Sequence, residues 1–180
     1  MEHIIWNKEM ECADKETIRE IQLARLKKTV ETCYERVPLY KRKFDEIGLK
    51  PEHIKTLADV KHLPFTTAED LKNSYPFGMF AVDKREVVRI HGSSGTTGKP
   101  KIVGYTKQDL DNWSEIMARV ICAAGGTPDD IVQIAFGYGL FTGGFGLHYG
   151  MEKIGAMVVP LSSGNTERQL MIMQDFGSTI

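Results

Sequence analysis

Apolar side chains recur every three or four residues between Leu23 and Val37, where Leu23, Leu26, Val30, Cys33, Tyr34 and Val37 form one helical stripe. Asp14 stands ahead of this stripe as an N-cap, and Pro38 ends or kinks it because proline brings no backbone donor. Residues 41–47 read as a second, short helix closed by Gly48 at C′. Two further short helices are expected at 56–60 and 67–71, the second with Thr67 and Asp70 at capping-box spacing. The first eighty residues therefore read as helical, with no strand.

From Glu86 the period changes. The β-branched runs Val87-Val88-Arg89-Ile90 and Ile102-Val103-Gly104-Tyr105 predict strands at 86–91 and 101–105. Thr106 then caps a helix whose stripe is Trp113, Ile116, Met117, Val120 and Ile121, ending at Gly125-Gly126. An apolar strand at 130–136, a glycine-rich helix at 143–154, a strand at 156–160 and a helix at 166–175 closed by Gly177 follow. Alternation at this spacing predicts an α/β fold: a helical segment over 1–85, then a mostly parallel sheet with flanking helices over 86–180. Residues 178–180 read as the start of another strand. A domain rarely stops on the first residues of a core strand, so the chain is expected to be the front part of a longer enzyme.

Composition narrows the partners. The 180 residues carry a net charge of −1, which gives no electrostatic case for nucleic acid or an anionic membrane. Basic residues such as Lys41-Arg42-Lys43 sit beside Asp45 and Glu46 and read as a solvated helix face. No apolar run approaches the ~20 residues of a membrane-spanning helix, and the N-terminus lacks a signal-peptide pattern. Cys12, Cys33 and Cys122 are too scattered for a disulfide frame or a zinc site, the histidines show no ligand spacing, and no metal site is expected from the chain itself. A reducing, cytoplasmic setting fits.

The two strands at 86–91 and 101–105 bracket Ser93-Ser94-Gly95-Thr96-Thr97-Gly98-Lys99-Pro100. Glycines let backbone N–H groups approach an anion, four hydroxyls add donors, and Lys99 adds a cation suited to phosphate oxygen. A P-loop would need glycine where Ser93 stands, a hydroxyl where Pro100 stands and a helix next. A dinucleotide fingerprint fails too, because Gly137-Tyr138-Gly139 meets Thr142 where a third glycine belongs. Further on, Tyr138, Phe141 and Phe145 supply aromatic walls, and five glycines between 137 and 146 either leave room for a flat ligand or fill a strand–helix junction. His148 is expected on a buried helix face as a satisfied core histidine.

The loop 93–100 resembles the phosphate-binding signature of the adenylate-forming superfamily. Tyr34-Glu35-Arg36-Val37-Pro38-Leu39-Tyr40, Leu63-Pro64-Phe65-Thr66-Thr67, Tyr75-Pro76-Phe77-Gly78-Met79-Phe80-Ala81 and Phe136-Gly137-Tyr138-Gly139-Leu140-Phe141-Thr142-Gly143-Gly144 resemble its phenylacetate-CoA ligase and aryl-CoA ligase branch. The resemblance implies the large N-terminal domain of an adenylate-forming enzyme. It further implies ligation of phenylacetate, or another aryl acid such as benzoate or indoleacetate, to coenzyme A through an acyl-adenylate, with Mg2+ and ATP. Ser93, Ser94, Gly95, Thr96, Thr97, Gly98 and Lys99 would hold the phosphates, Lys99 catalytically, while Tyr138, Phe141, Gly143 and Gly144 would hold the acid. A homodimer of the full-length enzyme is compatible with it, and a non-catalytic nucleotide- or acid-binding fragment is the alternative. Relatives often carry lysine where Ala68 stands, and Lys72 is near but not equivalent. No Thr-Gly-Asp segment, later acidic motif or C-terminal lid is found in the 180 residues.

Overall fold

The computed structural model describes residues 4–93 and 98–180. They fall into two compact units, Cys12–Gly104 and Tyr105–Ile180, the second joined by Met1–Glu11 with its short helix α1 (Lys8–Glu11).

The first unit opens with helix α2 (Lys15–Arg36). Asp14 caps it, accepting from the Thr17 N–H at 2.8 Å, and that bond holds the Asp14 carboxyl below its ordinary value. Val37 closes the helix, and α3 (Pro38–Glu46) starts at the proline, three residues ahead of the expected 41–47 segment. The reason is local: proline lacks only a donor that a first helical residue does not use, and its φ is already helical. Gly48 follows with φ +67°, as a C′ residue should. Val30, Phe44, Leu49 and Ile54 form the buried core here, with Leu26, Tyr34, Tyr40 and Leu63 packed against it. Thr56 and Asp59 cap a 3-10 helix (Leu57–His62) where the short helix at 56–60 was expected, and Thr67 and Asp70 cap helix α4 (Ala68–Asn73). Strands β1 (Val87–Gly92) and β2 (Ile102–Thr106) then pair as a two-stranded sheet.

The second unit is the β/α part. Thr106 and Asp109 form the capping box of α5 (Lys107–Ala123). Strand β3 (Ile131–Gln133), helix α6 (Gly143–Ile154), strand β4 (Met157–Val159) and helix α7 (Thr166–Phe176) follow. Strands β3 and β4 are parallel, Val132 opposite Val158. The Ile180 N–H donates to the Ile131 carbonyl, and the Ile180 carbonyl accepts from Gln133 at 2.8 Å. That offset pair of bonds is the parallel pattern, so the chain lays its last residues beside β3 as the expected next strand would lie. Ala118, Ile121, Cys122, Val132, Ile134, Met151, Ile154 and Ala156 are the core, between α5, α6 and the strands.

Two expectations need correction. The strand expected over 130–136 is only Ile131–Gln133, because its partner β4 offers three residues to pair with. The sheet is also not one surface among the described residues: β1–β2 and β3–β4 are separate pairs.

Candidate functional site

The phosphate loop lies in the first unit, between β1 and β2. Of its predicted residues, Ser94, Gly95, Thr96 and Thr97 lie outside the described residues; Ser93, Gly98 and Lys99 do not. Ser93 and Lys101 close the base reciprocally. The Ser93 N–H donates to the Lys101 carbonyl at 3.1 Å, and the Lys101 N–H donates to Ser93 Oγ at 3.0 Å. With its oxygen accepting there, the Ser93 hydroxyl keeps its hydrogen for another acceptor. Gly98 has φ +130°, a conformation that a side chain would strain, so glycine is required at that turn.

Lys99 Nζ sits 4.9 Å from the centroid of the Tyr75 ring, a cation–π contact worth about 0.5–1 kcal/mol. Both residues line a cavity of about 280 Å³ whose other walls include Ala68, Glu69, Lys72 and Lys101. Three lysine cations thus face one carboxylate, and Lys72 is partnered with that carboxylate at only 3.8 Å and 70 % exposed. The cavity is electropositive and suits a polyanion. Lys101 lies past the motif, in the stretch that the sequence predicts as strand, so motif spacing does not mark it. Tyr75 sat in a quoted motif, but its role as a platform for Lys99 depends on a fold that spacing does not reveal.

The aromatic loop lies in the second unit, between β3 and α6. Tyr138 is half-buried, and its ring meets Phe145 edge-on at 5.2 Å and 86°. Phe141 is 54 % exposed and Phe136 60 %, so this loop presents aromatic faces outward. The Tyr138 hydroxyl is 3.0 Å from His148 Nδ1, and His148 Nε2 is 3.0 Å from Glu152 Oε1. Burial, with smaller contributions from Glu152 and Tyr149, pushes the Tyr138 hydroxyl up from its ordinary value. His148 is therefore satisfied, as expected, but by Tyr138 itself. The sequence signal was the i,i+4 spacing of His148 and Glu152 on one helix face.

The glycines have work inside the protein. A Cβ on Gly144 would lie 3.1 Å from the Gly137 carbonyl oxygen, and one on Gly143 would lie 3.3 Å from the Phe136 ring. One on Gly146 would press the Trp113 indole at 2.9 Å. The space at these positions is taken by the chain's own atoms, which is the junction-filling reading of the glycines. Among the described residues no group of His, Cys, Asp or Glu comes together to hold a metal ion. Burial pushes the Cys33 and Cys122 thiols up from their ordinary value, which disfavours the thiolate. No helix among the described residues is long and apolar enough to cross a membrane.

No protein-family model matches the chain. It is 52 % identical over 167 residues to a phenylacetate-coenzyme A ligase of Escherichia coli and 51 % identical over 173 residues to that of Thermus thermophilus. These alignments take in 93 % and 96 % of this chain but only 38 % and 39 % of the relatives, so the chain spans well under half of their length. A crystal structure of 2-hydroxyisobutyryl-CoA ligase in an open conformation, in complex with 2-HIB-AMP and CoA, superposes with a TM-score of 0.83 at 26 % identity. That match covers 91 % of this chain and 40 % of the other. Over nearly its whole length the chain thus matches part of the phenylacetate-coenzyme A ligases in sequence and part of 2-hydroxyisobutyryl-CoA ligase in fold.

Proposed function

We propose that this chain supplies the phosphate-gripping loop and an aryl wall of a ligase that joins phenylacetate, or a closely related aryl acid, to coenzyme A. The observation that carries the reading is the lysine-lined cavity at the foot of the Ser93–Lys101 loop, in a chain about half identical to phenylacetate-CoA ligases. Adenylation by an aryl carboxylate expels pyrophosphate, and coenzyme A thiolate then expels AMP. Neither half needs a protein nucleophile, so the chain contributes position and charge. Lys99, Lys101 and the Ser93 hydroxyl hold the β- and γ-phosphates, and Lys99 offsets the charge that builds as pyrophosphate leaves. Tyr138 and Phe141 flank the aryl ring, while Gly143 and Gly144 keep the loop close to the start of α6.

Mg2+ arrives with ATP in this reading. Among the described residues no group of acidic side chains comes together to hold it. The cytoplasm, where thiols stay reduced, is the proposed setting. The test is product analysis with the complete ligase that carries this segment. Incubation with phenylacetate, ATP and coenzyme A should give phenylacetyl-CoA, AMP and pyrophosphate in equal amounts. ADP and phosphate as products, or no thioester from any of phenylacetate, benzoate and indoleacetate, would contradict it.

A further inference from the structure

The contact between Tyr138, His148 and Glu152 fixes more than a ring position. Glu152 is half-exposed, its side chain 53 % accessible, and as a carboxylate it can only accept. The hydrogen between it and His148 must therefore sit on Nε2. In the neutral form of the ring, which carries one hydrogen, Nδ1 is left as a bare acceptor. The Tyr138 hydroxyl, 3.0 Å from Nδ1, then has to donate, and its hydrogen is committed inward. What Tyr138 keeps for a ligand is a pair of oxygen lone pairs and no hydrogen.

We infer that His148 is a specificity-setting positioning residue: with Glu152 it turns Tyr138 into a fixed acceptor that favours aryl acids bearing a hydrogen-bond donor on the ring, such as a phenol hydroxyl or an indole N–H. This rests on the proposal that Tyr138 walls the acid pocket. Three further observations support the arrangement. The histidine side chain is only 19 % exposed, so water competes poorly for Nδ1. The edge-on Phe145 ring restrains the tyrosine from the side. Burial, as the largest cause, holds the Tyr138 hydroxyl in its protonated form. The pocket selects by what its oxygen lacks.

Two measurements test this. Nitrogen-15 NMR on the chain should place the His148 proton on Nε2 with Nδ1 unprotonated; a proton on Nδ1 would overturn the inference. In the complete ligase, kcat/KM is compared for phenylacetate and the best-used of the three hydroxyphenylacetate isomers. His148→Leu and Tyr138→Phe should each lower the value for the hydroxylated acid about three- to tenfold more than for phenylacetate, the scale of one neutral hydrogen bond. His148→Asn, whose amide oxygen can stand near the place of Nδ1, should restore the ratio. Equal losses for both acids would mark a merely structural network and overturn the inference, as would a ratio that neither substitution moves. No thioester from the unsubstituted enzyme with any aryl acid would overturn the functional reading and this inference together. Phenylacetate turnover with an unmoved ratio sinks the inference alone.

Discussion

Gly150→Ala is the sharpest test of the packing that carries the aromatic loop. Helix α6 lies so close to α5 that a Cβ on Gly150 would stand 2.6 Å from Met117 Cβ and 2.7 Å from Ile121 Cδ1. Ordinary carbon contacts are about 3.5–4.0 Å, so roughly 1 Å of displacement is needed. Met117 Cβ is rooted on its backbone and cannot swing aside, and overpacking of this kind costs about 1–3 kcal/mol. Against that stands the helix-propensity gain of alanine over glycine, about 1 kcal/mol. The steric term should win by about 1 kcal/mol. Urea unfolding followed by tryptophan fluorescence reads it well, since Trp6 and Trp113 both lie in this unit. Ile121→Val removes the Cδ1 contact, so the double variant should lose less than the sum of the single ones. A Gly150→Ala protein stabilised by about 1 kcal/mol, as propensity alone would give, would refute the close-packing argument.

Other consequences are equally direct. Thr106→Ala removes the oxygen that accepts the Asp109 N–H at 3.2 Å, and should cost about 1 kcal/mol in urea unfolding, with Thr106→Ser restoring most of it. Asp70 is held down to about 2, first by the Lys43 ammonium and then by Thr67, against an ordinary value of 3.8. A depressed carboxyl stabilises the fold fully above the unfolded value and loses that contribution as pH falls from about 4 to about 2. Lys43→Met should therefore raise the Asp70 midpoint in a carboxyl NMR titration; an unmoved midpoint would contradict the assignment. Glu115 receives the Trp6 indole N–H at 3.0 Å and the Asn7 amide at 2.9 Å, so Glu115→Ala should speed amide hydrogen exchange over residues 7–11. Unchanged exchange there would mean that the two bonds do not hold the segment.

Local chemistry was legible in the sequence wherever one residue acts on its near neighbours. Asp14, Thr67 and Thr106 cap the helices that their spacing announced, and α6 runs over the expected Gly143–Ile154. Pro38 was read as a stop when it is also a start, because its ring suits both sides of the Val37 junction. What spacing could not reveal is what faces an element across space. The glycines between 137 and 146 suit either room for a flat ligand or a filled junction, and at Gly146 the Trp113 indole on α5 occupies the place a side chain would take. The contact of His148 with Glu152 follows i,i+4 spacing and is open to sequence reasoning, while its link to Tyr138 depends on the loop folding back over α6. At the phosphate loop the motif was plain, but the cavity beside it needs Lys72 and Tyr75, about twenty residues before the loop begins.

On the proposed function, Lys99 grips the departing pyrophosphate. The direct measurement is phenylacetate-dependent ATP–pyrophosphate exchange by the complete ligase with Lys99 and with Lys99→Ala, alongside calorimetric binding of phenylacetate. Exchange should be about a hundredfold slower in Lys99→Ala, the scale for losing one preorganised charge-stabilising group, with acid affinity changed by less than about twofold. Exchange at the unsubstituted rate in Lys99→Ala would contradict it.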